Sequence, residues 1–150
     1  MGKFPNLKLK PKKNSYLFKM QPFVYLKTVK TIYGKGKLLD LPKEISMIGK
    51  RPLVVYGKNS LSRSGKLNKI KLLLNKFSLF EYNGISGEPT IEMVNEAYQI
   101  GRAKKVDCIL AVGGGSVIDC AKAISLSLGN KILPKKVFNL KKIKSALPLI

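Results

Sequence analysis

The sequence contains no histidine, and only two of its 150 residues are cysteine. Without histidine, a metal site that depends on histidine ligands cannot be assembled from these residues. Cys108 and Cys120 form no CxxC pair and are too few for a disulfide framework. Cys108 falls in an apolar run and Cys120 in the first turn of a helix, and both read as small core residues. Acids are scarce as well. There are eight, all between Asp40 and Asp119, and the formal net charge is +21. No apolar run approaches the length of a membrane span. The Lys-rich start is no signal peptide, because Lys19, Gln21 and Pro22 break the apolar stretch behind it. The expectation is a soluble protein of a reducing, cytoplasmic compartment with no membrane partner.

Arginine is also rare: Arg51, Arg63 and Arg102 stand among 29 basic residues. Recognition of phosphate and base edges favours the arginine fork. The acid-free ends, residues 1–39 and 120–150, therefore read more readily as compositional bias and solvated surface than as a nucleic-acid patch. A patch of that kind would bind electrostatically and weaken steeply with salt. Nucleic acid is not the expected partner.

What is present is an apolar fraction of 45%, enough for one domain with a core. Residues 1–22 hold three prolines and no period, and read as a loose basic leader. "FVYLKTVKTIYG", 23–34, is aromatic and β-branched and predicts a strand or hairpin arm. A short helix follows near Leu41, with Pro42 in its first turn. "PLVVY", 52–56, is the continuous apolar run of a strand buried on both faces. Leu67, Ile70, Leu73, Leu74 and Phe77 mark a helix face. A strand is expected over 77–82, a loop over 83–90 and a helix capped by Thr90. A strand over 107–112 and a helix from Ser116 to Leu126 complete the pattern. This alternation predicts an α/β fold, a Rossmann-like parallel sheet with flanking helices. "ALPLI", at the end, looks like the start of another buried strand.

Between the last predicted strand and helix stand Gly113, Gly114 and Gly115. Ligands of open parallel sheets bind outside the carboxyl ends of the strands. Three glycines there expose backbone and permit positive φ. The helix start beyond them offers unpaired N–H groups and a positive dipole end, which suit a phosphate. Ser116 could cap that helix or bond a phosphate oxygen. Asp119, one turn in, suits a hydroxyl or an amide better. The motif is neither GxGxxG, since position 118 is Ile118, nor a Walker A loop. A structural tight turn remains the alternative reading. The earlier turn, Gly57, Lys58, Asn59 and Ser60, carries no acid, which leans toward NADP over NAD if an adenosine ribose lies there. An ordinary polar turn is the competing reading.

"GGGSVIDCAKAIS" closely resembles the GGGSxxDxAKAIA segment of iron-containing, group III alcohol dehydrogenases. "IYGKGKLLDLPKEI" is similar to that family's FGxGxxxxL opening, and "LVVYGKNSLSRSGKL" to its LVVTGxxSLxxSG turn. "ISGEPTIEMVNEAYQIGRAKKVDCILAVGGGS" matches the helix and strand that follow, with a shortened GEPT form. "ALPLI" resembles the lead into AxPTTAGTGSE. The likeness covers residues 23–150, here taken as an NAD(P)-binding α/β domain incomplete at its end; residues 126–135 fit poorly.

The resemblance implies a hydride-transferring oxidoreductase that interconverts aldehydes and alcohols with NADP or NAD. Gly113, Gly114, Gly115 and Ser116 would bind the pyrophosphate. Asp119 would lie near the nicotinamide half, and Gly57, Lys58, Asn59 and Ser60 on the adenosine side. Relatives hold iron or zinc in a C-terminal helical domain through an Asp and three His, ligands missing from these residues. The expectation is therefore a truncated or split enzyme, without catalytic or metal residues of its own and without turnover. A homo-oligomer or a complementary C-terminal fragment is the implied partner. A free-standing nucleotide- or nucleic-acid-binding module and a non-functional remnant are the alternatives.

Overall fold

A computed structural model describes residues 29–58, 65–137, 139 and 143–150. Three strands form a parallel sheet: β1 (Pro52–Gly57), β2 (Phe80–Ile85) and β3 (Cys108–Val112). Their spatial order is β2-β1-β3. Strand β1 is central, and Leu53 to Tyr56 are all buried, as its unbroken apolar run requires. Helices α1 (Leu41–Ser46) and α2 (Lys66–Leu73) cover one face. There Leu41, Ile45, Ile70 and Leu74 pack with Val54, Tyr56, Cys108 and Leu110. Helices α3 (Ile91–Ala103) and α4 (Gly115–Asn130) cover the other. Val94, Ala97, Val117, Cys120, Ala121 and Ile124 pack there with Leu53, Val55 and Ile109. The chain steps from β1 to β2, then back past β1 to β3. A reversal of direction keeps the crossovers right-handed only if the helices change faces, and they do. A short helix α5 (Pro134–Val137) follows.

The expected α/β architecture is present, with differences in detail. Of the strand expected over 23–34, only 29–34 are described, and they form no strand. The leader lies outside the described residues. Helix α2 ends at Leu73, and Phe77 belongs to the turn that closes it, through the bond from the Phe77 amide to the Leu74 carbonyl (3.0 Å). Ser78 N–H then donates to the Lys50 carbonyl (3.1 Å), so pairing with β1 begins at Phe80 rather than Phe77. Asn83, Gly84 and Ile85, expected in a loop, complete β2. Gly84 is admitted because the Tyr82 ring lies over it; a Cβ there would stand 2.7 Å from the Tyr82 Cε2. The Tyr82 hydroxyl in turn donates to Glu96 (2.9 Å) on α3. Thr90 caps α3 as expected, accepting from the Met93 amide at 3.4 Å. Helix α4 runs to Asn130, four residues beyond the expected end.

Both cysteines are core residues, fully buried. Burial, then the neighbouring Asp107, pushes the Cys108 thiol up to about 12, and burial raises Cys120 as well. Neither is a thiolate ligand at neutral pH. The end of the chain behaves as its apolar run suggests: Leu149 bridges Ile109 in parallel, on the edge of β3 away from β1.

The amino edge of the sheet is closed by Asp107. Its carboxylate accepts from the Lys50 amide (2.9 Å) and the Arg51 amide (2.8 Å). Arg51 reaches over to the Lys104 carbonyl (2.6 Å) at the end of α3, with its guanidinium 5.3 Å from the Phe80 ring centre. Burial works against ionisation of Asp107, but the Lys50 and Arg51 amides, together with the Cys108 side chain and the Asp107 amide, outweigh it and hold its pKa below the ordinary 3.8. A depressed carboxyl stabilises the fold above its unfolded pKa and loses that contribution as pH falls through the folded value. Asp107→Asn is expected to cost about 1–3 kcal/mol at neutral pH. The gap to wild type should close below pH 3.8. Thermal unfolding from neutral to acid pH checks this; a constant gap refutes it.

Candidate functional site

Strands β1 and β3 pair in register from Pro52↔Cys108 to Tyr56↔Val112. The next residue of each strand is a glycine, Gly57 and Gly113. The two turns singled out from sequence therefore leave adjacent strands at the same level. They do so where the order of connection reverses, the crevice in which doubly wound sheets hold ligands. Strand β1 bulges against β2 between Val55 and Gly57, and the Lys58 amide donates to the Ile85 carbonyl (3.0 Å). Asn59 and Ser60 lie outside the described residues.

A hydrogen-bonded brace lies under this turn. Tyr56 donates to Glu81 (2.9 Å), and Glu81 meets Lys71 at 2.8 Å. Burial, then the Glu81 bond, raises the Tyr56 phenol to about 12. It stays protonated at neutral pH and acts as a tie between β1 and β2. Sequence reading missed it, because its members sit on three elements and share no local pattern.

The three glycines do different things. Gly113 is exposed to solvent, yet a Cβ there would fall 2.6 Å from the Val117 Cγ2 and 2.9 Å from its Cβ. Valine is stiff at χ1 and cannot swing away. Gly113 therefore lets α4 start tight against β3. Gly114 and Gly115 have no neighbour within 4 Å of the position a Cβ would take. None of the three adopts positive φ; Gly114 sits at φ −87°. The left-handed backbone anticipated from the sequence is not used here.

Gly114 is the N-cap residue of α4, which begins at Gly115, and no side chain caps the helix. Ser116 lies inside the first turn and is not the cap. The first helical bond runs from the Ile118 amide to the Gly114 carbonyl (3.1 Å). The amides of Gly115, Ser116 and Val117 thus have no acceptor within the helix and face the positive end of its dipole. Asp119 is exposed and paired with Lys122 at 2.9 Å. An exposed pair of this type is worth about 0.2–1 kcal/mol, so a ligand hydroxyl could displace it. No group of three or more metal-ligating side chains occurs among the described residues. With no histidine in the sequence, the chain does not fit a three-histidine metal site.

A model of the family "Iron-containing alcohol dehydrogenase" matches residues 28–150. The chain belongs to that family. It is 42% identical over 108 residues to a probable NADH-dependent butanol dehydrogenase 1 of Bacillus subtilis, covering 71% of this chain and 28% of the relative. It is 34% identical over 122 residues to the NADPH-dependent aldehyde reductase YqhD of Escherichia coli, covering 79% of this chain and 31% of the relative. Among solved structures, NADH-dependent butanol dehydrogenase A of Thermotoga maritima superimposes with a TM-score of 0.80 at 28% identity, over 87% of this chain and 34% of its own. The chain thus spans about a third or less of these iron-type dehydrogenases. Among the described residues no helix is long and apolar enough to cross a membrane.

Gly113→Ala forces Val117 or the start of α4 to move. The expected cost is about 1–3 kcal/mol, as for overpacking elsewhere. Denaturant unfolding measures it, and an unchanged midpoint would remove the packing role.

Proposed function

We propose that these residues are the dinucleotide-binding part of an iron-containing alcohol dehydrogenase. The observation that carries this reading is the empty space around Gly114 and Gly115. Neither glycine is demanded by backbone conformation or by packing among the described residues. A Cβ at either would project at the helix start, where three amides have no acceptor within the helix and a pyrophosphate could bind. Gly114, Gly115 and Ser116 would hold the phosphates, with Gly113 setting the distance from helix to strand. Gly57, Lys58, Asn59 and Ser60 would meet the adenosine ribose. Asp119 would turn from Lys122 to a hydroxyl or amide of the nicotinamide half.

A bound NAD(P)H would supply the hydride that reduces an aldehyde, or accept one from an alcohol. The names of the relatives divide between NADH and NADPH. The absence of an acid from Gly57 to Ser60 leaves room for a 2′-phosphate, so we expect both cofactors to bind, with NADP ahead. Polarisation of the substrate oxygen by iron or zinc would need ligands from outside these residues. These 150 residues by themselves should therefore show no turnover.

Titration of NADP and NAD into the protein, with Gly115→Ala alongside, tests the site. The variant should unfold at the wild-type midpoint or be stabilised by up to about 1 kcal/mol, since alanine suits a helix better than glycine. Its dinucleotide affinity should fall by roughly tenfold or more, the value of about one lost charge-assisted contact. Equal affinity in both proteins, or no binding to wild type, overturns the proposal.

A further inference from the structure

The far half of α4 carries a second set of polar contacts, all to the backbone of residues 144–147. The Ser125 hydroxyl donates to the Leu147 carbonyl (2.6 Å), and the Leu147 amide donates to the Ser125 carbonyl (3.2 Å). Asn130 Nδ2 donates to the Ser145 carbonyl (2.6 Å), and the Lys144 amide donates to Asn130 Oδ1 (3.2 Å). Between them, Gly129 lets the chain pass at close range: a Cβ there would lie 2.6 Å from the Ala146 Cα. Ser125 is buried, where an unpaired hydroxyl would be costly.

Beyond this clasp the segment runs beside β3 and joins it through a parallel bridge at Leu149. Ile109 N–H donates to the Pro148 carbonyl (2.8 Å), Ile150 N–H to the Ile109 carbonyl (3.0 Å) and Ala111 N–H to the Ile150 carbonyl (2.7 Å). Leu147 and Leu149 pack into the core shared by α3 and α4. The last bond reaches Ala111, two residues before Gly113. A closed circuit results. Strand β3 passes through the glycine turn into α4, α4 runs back about 24 Å along the sheet, its notch grips the segment, and the segment returns to the end of β3. Both ends of α4 thus bear on the same turn.

We propose that Ser125, Gly129 and Asn130 are positioning residues for the dinucleotide site. They fix the register of residues 144–150 on β3 and so hold the strand end that presents Gly113–Gly115. This rests on the proposed dinucleotide-binding function. Contacts to backbone rather than side chains suit such a role, because they specify path and register only. Gly129 and Asn130 lie past Leu126, where the sequence pattern ends the helix, and the clasp explains why α4 continues through them.

The test uses Ser125→Ala with Asn130→Ala in the full chain, and Gly129→Ala as a second, independent variant. Hydrogen exchange is read at the Ile109 and Ala111 amides, and dinucleotide affinity well below the unfolding midpoint. Exchange at those two amides should rise by roughly tenfold, while amides of β1 keep their protection. Affinity should fall by about fivefold or more in both proteins. Faster exchange with unchanged affinity, or unchanged exchange, overturns the positioning role. Failure of wild type to bind either dinucleotide removes the functional reading and this role with it. The exchange result then still separates a real clasp from none.

Discussion

The pairing of β1 with β3 is the constraint on which the rest depends. Strand β1 has neighbours on both edges and helices on both faces, so its four central residues have no exposed surface to accommodate a slip. A shift of one residue would turn Val54 and Tyr56 toward α3 and α4, and Leu53 and Val55 away from them. The register that avoids this brings Tyr56 opposite Val112. It therefore also brings Gly57 and Gly113 to the same level. The site is a by-product of core register rather than of any contact between the two turns.

The two ends of the sheet are built on opposite principles. At the amino end two charged side chains are engaged by backbone: Asp107 with two amides, and Arg51 with the end of α3. These contacts join the starts of β1 and β3 to the end of α3. At the carboxyl end, amides at the start of α4 have no acceptor within the helix, and among the described residues two glycines face open space. Stability gathers where the chain needs no ligand, and unsatisfied groups gather where an anion can satisfy them. Helix α4 links the two regimes through its clasp on residues 144–147.

Much of the fold was legible from periodicity. The apolar run at 52–56, the Thr90 cap and the helix behind the glycine triplet each agree with the structure. Beginning β2 at Phe77 failed because an aromatic beside alternating residues fits a strand or the close of a helix equally well. Only the Ser78 bond to Lys50 decides between them. Reading Asn83 and Gly84 as a loop failed because the Tyr82 ring supplies the packing that Gly84 lacks. The glycine triplet was legible as a motif, but its division of labour was not. Whether Val117 stands over Gly113 or beside it depends on how α4 docks.

The sequence by itself determined the class of fold, the order of its elements and the family. Those follow from local pattern and motif, which need no knowledge of distant contacts. It also determined that these residues alone cannot form a histidine-based metal site. Tertiary structure alone decided which glycine packs and which remain open, that Asp107 locks the amino edge, and that Ser125 and Asn130 hold the final segment. Each of these joins residues separated by at least one whole element of the chain, or depends on how such elements dock. Their geometry is fixed only when the sheet and helices bury their apolar faces together.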